Sequence, residues 1–119
     1  MAIGDVGGPV TELAIMCKVA DGITIKKDDA VALVGPYEVA TYGNLFGQAL
    51  ENAKSGDSVA VRVRGVCVFY YLFEGFPPEI NDSVHICTSG HVVILPERRY
   101  GINHILKVDE EHFQVHVLL

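Results

Sequence analysis

The chain has no tryptophan and little positive charge: nine Lys and Arg stand against fifteen Asp and Glu, for a net charge of -6. That balance argues against nucleic-acid binding, which needs a basic face against phosphates. No apolar run approaches the roughly 20 residues of a membrane-spanning helix, so no membrane partner is expected. Three cysteines, Cys17, Cys67 and Cys87, form an odd set without C-x-x-C spacing. That pattern argues against a disulfide framework and reads as three small buried hydrophobes in a chain assembled in a reducing cytoplasm. A nucleophile elbow, a phosphate-binding loop and a dinucleotide fingerprint are all missing, because the glycines of GDVGG neither follow a strand nor open a helix. The opening MAIGDVGGPVTELAIMCKVADG lacks a basic start before a long apolar core, so no secretory signal is visible in it.

What is present is apolar and strand-like. Half of the 119 residues are hydrophobic, a fifth are charged and the mean hydropathy is +0.30. This composition describes one folded domain, rather apolar, with surface that other subunits could cover. Residues 1–13, with Gly4, Gly7, Gly8 and Pro9, suit an extended N-terminal arm. Residues 14–119 form a single β-rich domain.

Three stretches share a pattern. In KDDAVALVG, GDSVAVRVRG and NDSVHICTSG, Asp29, Asp57 and Asp82 each precede a period-two run, and Gly35, Gly65 and Gly90 close the units. Each carboxylate is placed to accept a hydrogen bond from a backbone N–H one or two residues further on. The expected fold is all-β, a compact β-barrel or β-tulip-like domain with one short α-helix. That helix is predicted in GNLFGQALENAKSG, where Leu45, Phe46, Ala49, Leu50 and Ala53 recur at helical spacing between a cap at Asn44 and a stop at Gly56. Gly47 would weaken it by about 1 kcal/mol.

Candidate chemistry is sparse. His112 and His116 have a zinc-like spacing, but on a strand it separates them by about 13 Å, so neither metal nor cofactor is expected. Cys67 lies in an apolar run that favours an inert thiol. An enzyme would have to gather Cys67 or Cys87 with His85, His91 or His104. Contact residues are a better reading. Arg62, the tip residues Arg98, Arg99 and Tyr100, and Asp5, Val6, Pro9 and Val10 of the arm suit binding to a partner, since a guanidinium grips carboxylates in a forked geometry. Tyr70, Tyr71, Phe73 and Phe76 crowd toward Pro77 and Pro78, a density suited to self-association. On strand parity, Phe113, Val115, Val117 and Leu119 share one face of the last strand, and His112, Gln114 and His116 the other. A small β-barrel holding a sugar or other ligand against Tyr70, Tyr71 and Tyr100 remains the alternative.

The segment FGQALENAKSGDSVAVRVRGVCVF resembles the central part of tailed-phage capsid decoration, or cement, proteins. The likeness rests on Ala49, Leu50, Ala53, Gly56, Asp57, Val59, Val61, Gly65 and Val66, with ADGITIKKDDAVALVG and ILKVDEEHFQVHVLL as flanking parts. It covers most of residues 18–119. The resemblance implies a β-tulip on the outer surface of a bacteriophage head. It also implies a structural, non-enzymatic role, the major capsid protein as partner, and a homotrimer. The protein would be made in the host cytoplasm and end in the virion. The long aromatic loop from Tyr70 to Asp82 and the short arm depart from the family pattern and leave a dimer as the alternative.

Overall fold

The computed structural model describes residues 12–73, 77–94 and 103–119. Asp5, Val6, Pro9, Val10, Phe76, Arg98, Arg99 and Tyr100 lie outside them. Among the described residues the fold is all-β with ten strands: β1 Leu13–Val19, β2 Ala30–Gly35, β3 Glu38–Ala40, β4 Gly43–Ala49, β5 Ser58–Arg64, β6 Val66–Phe73, β7 Ile86–Thr88, β8 His91–Ile94, β9 Ile105–Asp109 and β10 Gln114–Leu118.

The strand order β2-β3-β1-β5-β4, with β4 also paired to β2, closes the first half into a five-stranded barrel. Its core holds Cys17, Val19, Ile25, Val31, Val39, Ala49, Ala53, Val59 and Val61. The remaining strands run outward from β4 in the order β7-β8-β6-β10-β9. They enclose a second core built on Phe69, Tyr71, Val84, Val92, Ile105, Val115 and Val117. Backbone bonds from Asn81 N to Ile105 O and from Ile105 N to Asp82 O, both 2.8 Å, tie the far end of this sheet back to the segment leading into β7.

β2 is the wall between the two cores. Val31 points into the barrel, whereas Ala30 and Ala32 point into the second core, and all three are buried. Alanine at the two outward positions keeps the wall thin enough for a second layer to pack on it. The same tightness acts on Gly43, at φ +125°, where a Cβ would come 3.1 Å from that of Ala32.

The expected helix is absent, and the segment assigned to it is β4 followed by a loop. Leu45 packs on the second core and Phe46 on the barrel core, so the helix-like spacing serves two opposed faces of one strand. Asn44 and two glycines supply little helix propensity, and pairing with β2, β5 and β7 decides the outcome. Ala53 instead forms a reciprocal bridge with Ile25, through bonds of 2.8 and 2.9 Å.

The three aspartates do close turns, but by reaching backward. Their Oδ2 atoms accept from the N–H three residues earlier: Lys26 to Asp29 at 2.9 Å, Lys54 to Asp57 at 3.1 Å and Glu79 to Asp82 at 2.9 Å. Each aspartate N–H returns a bond to the same residue's carbonyl, at 3.1, 2.9 and 3.1 Å. The residue before each aspartate, Asp28, Gly56 or Asn81, has a positive φ of 76°, 82° or 71°. That conformation folds the chain back on itself, as at the third position of a type II turn, and brings the earlier N–H to the carboxylate.

Gly47 has no room for a side chain: a Cβ would sit 2.5 Å from the Arg62 carbonyl oxygen and 2.6 Å from Val61 Cγ1. Gly47→Ala is expected to cost about 1–3 kcal/mol by overpacking the barrel seam, measured as a lowered urea midpoint with an unchanged slope.

Candidate functional site

The described aromatics Tyr70, Tyr71 and Phe73 do not share one face of β6. Successive residues of β6 point to opposite sides of the sheet. Tyr70 is half exposed and sits near His91, with ring centroids 6.0 Å apart. Tyr71 is only 4% exposed and belongs to the second core, so its side chain is not part of a surface. Phe73 lies on Tyr71's side of the strand with 43% exposure, and Phe113 approaches Tyr71 at 6.0 Å. Phe113 itself departs from the expected strand face, because it occupies the β9–β10 turn at φ 54°.

Arg62 has a carboxylate from its own chain. Its Nε lies 3.4 Å from Glu12 Oε2, and its Nη1 donates to Gln48 Oε1 at 3.3 Å. Gln48, 3% exposed, is the buried polar residue that sequence reasoning passed over. Its Nε2 donates to Val68 O at 2.6 Å and to Asp28 O at 3.3 Å, joining β4 of the barrel to β6 of the second layer. A cavity of about 190 Å³ beside it is lined by Asp28, Gln48, Arg62, Val66, Val68, Tyr70 and Gln114.

All three cysteines are buried and free. Burial pushes the Cys67 thiol up to about 11, against a weaker opposite pull from Arg62, and pushes Cys87 up to about 11 as well. His85 Nε2 and His104 Nδ1 are buried without a hydrogen-bond partner among the described residues. His112 and His116 are kept apart in role. His112 sits in the β9–β10 turn with Nδ1 2.8 Å from Asp109 Oδ2, a hydrogen bond that holds the Asp109 carboxyl below its usual range. Asp109, Glu111 and His112 can bring one ligand atom each within 4.8 Å, on an exposed turn.

A broad groove opens at the mouth of the barrel. With a volume of about 780 Å³, it runs along Leu13, Ile15, Phe46 and Val63 to Asn103, His104, Leu118 and Leu119, with Arg64 at its side. A second depression, about 280 Å³, shares Ile15 and Phe46 and adds Leu33, Pro36 and Tyr37. These residues come from β1, β2, β4, β5 and β10, from the connections beside them and from the two residues before β9. The sequence carries no local signal for their convergence. Leu13, Leu33 and Leu118 are 45%, 49% and 44% exposed, which makes this a continuous apolar patch of the kind that marks interaction sites.

No family model matches the sequence, and no curated protein matches it either. The surface therefore has to be read from its own chemistry.

Two outcomes check this description. Gln48→Leu is expected to cost about 1–3 kcal/mol, because it strands the Val68 carbonyl and removes an acceptor from Arg62; urea unfolding measures it. With thiols raised to about 11 and buried, Cys67 and Cys87 are protonated at pH 8, so iodoacetamide is expected to label them only after denaturation. Mass spectrometry reads the difference.

Proposed function

We propose that the protein is a structural capsid decoration protein. In this reading it binds the outer surface of a tailed-phage head and stabilises the assembled shell between capsomers. The observation that carries this reading is the apolar mouth, a patch held on a rigid double-core β body and spanning strands from both halves. It adds to the resemblance of residues 18–119 to cement proteins. A shell presents many copies of one site. Binding only the assembled form stabilises it by linkage, and a trimer gains avidity where all three copies engage at once. Tyr70 and Phe73 lie on opposite faces of β6, so at most one of them serves a given self-association face. A homotrimer is the proposed state, with a dimer as the alternative. The arm, with Asp5, Val6, Pro9 and Val10, and the tip Arg98, Arg99 and Tyr100 remain proposed capsid contacts.

A sugar-binding module is the less favoured reading. Of its stacking residues Tyr70 is at the surface and Tyr71 is buried, and the cavity beside Tyr70, about 190 Å³, falls below the roughly 300 Å³ at which small-molecule sites begin.

Co-sedimentation with shells assembled from the major capsid protein of the same genome tests the proposal. Saturable binding to shells, no binding to unassembled capsid protein and a raised melting temperature of the decorated shell are expected. Absence of binding to both expanded and unexpanded shells would overturn it. Light scattering at micromolar concentration is expected to give three times the 12.9 kDa chain mass. A 12.9 kDa particle in solution would restrict the trimer to the shell surface.

A further inference from the structure

Beyond its proposed partner, the geometry points to how the mouth is occupied: we propose that it accepts an extended polypeptide segment of the partner, added as a strand to the free edge of β1 and carrying an acidic side chain to Arg64. This deepens the decoration reading and rests on it for the partner's identity.

The free edge follows from register. β1 pairs with β5 from Leu13 through Lys18, but on its other side it meets β3 only at Lys18 and Val19. The β2–β3 turn at Pro36 and Tyr37 ends that neighbour, and Lys18 N donates to Tyr37 O at 2.7 Å where the pairing stops. Among the described residues no strand covers the second edge of residues 13–16. Every other residue there offers its N–H and C=O outward, which is a template for an added strand.

The side chains around that edge suit such a strand. An added segment continues the line of β3 past the turn, over Ile15, Leu33, Pro36, Tyr37 and Phe46. Alternate residues of the segment would face this apolar floor and solvent, so its pattern is apolar at every second position. Charge supplies the second requirement. Arg64 stands on β5, the neighbour on the other side of β1, opposite Leu13; it is exposed, lines the larger groove and has no ion-pair partner among the described residues, and the added strand's carboxylate would reach it across Leu13. Arg62, two residues earlier, already holds Glu12. A cation left unpaired beside an apolar groove selects a segment with one carboxylate within reach, and rejects one with a lysine there.

The test uses the full chain and two synthetic probes, the peptides Ac-TVTVEVTV-NH2 and Ac-TVTVKVTV-NH2, followed by amide hydrogen exchange and NMR titration. Expected are new protection confined to residues 13–16 and tighter binding of the glutamate peptide by about threefold, the scale of one exposed ion pair. Arg64→Glu, an exposed change that leaves the fold intact by circular dichroism, should reverse the preference. Leu13→Asp should weaken both peptides. Failure of either peptide to protect residues 13–16 at millimolar concentration, or equal affinities for the two, would overturn the inference. So would protection that rises with protein concentration alone, since the occupant would then be a second copy. Shells separate this from the parent proposal. Binding to shells that leaves residues 13–16 unprotected keeps the decoration reading and sinks the strand addition, whereas peptide protection without shell binding does the reverse.

Discussion

The structure depends on β2 being buried on both sides. Val31 fills the five-stranded barrel while Ala30 and Ala32, one residue either side, form the floor of the second core. A strand with two buried faces cannot tolerate a polar residue on either, and its outward side chains must be small if another layer is to close on it. Gly43 opposite Ala32 and Gly47 against the β5 backbone are consequences of the same close approach. Gln48 is the exception that the arrangement requires. Where β4 crosses from the barrel to the second layer, carbonyls of Asp28 and Val68 point at the seam, and the Gln48 amide satisfies both. Unsatisfied, each would cost a desolvation penalty comparable to a whole core methyl group.

That double-core construction explains why the barrel mouth stays open. Strands β5 and β7 both pair with β4, but at opposite ends of it, so they diverge and leave Phe46 between them. On the other flank, β1 outruns the β2–β3 turn and its last partner. The apolar groove is therefore framed by hydrogen-bonded ladders on both sides. A preformed, stiff surface loses little conformational entropy when it is covered, which suits a protein whose proposed work is to hold other subunits in place.

Much of the strand pattern was legible in the chain. The repeated aspartates marked turns, period-two runs marked β2, β5 and β10, and the three cysteines read as core residues. The turn mechanism was legible only in part. A carboxylate before a strand suggested a forward-reaching bond, while the left-handed residue just ahead of it, Asp28, Gly56 or Asn81, directs the bond backward. Helical spacing in residues 44–56 misled, because apolar residues three and four apart also arise when one strand feeds two cores. Tyr71 was grouped with its neighbours by sequence proximity, whereas alternation along β6 sends it inward and leaves Tyr70 outside.

By itself the sequence determined an all-β chain, poor in cations, with its cysteines set in apolar runs and punctuated by three aspartate turns, since each of these follows from composition or from interactions within about four residues. Only the tertiary structure decided that β2 is shared, that Gln48 bridges the layers, that among the described residues Arg62 is paired and Arg64 is not, and that six distant segments converge on one apolar mouth. Those outcomes depend on strand register, and register is set by which ladders close the barrel, a choice among pairings far apart in the chain that no local pattern encodes.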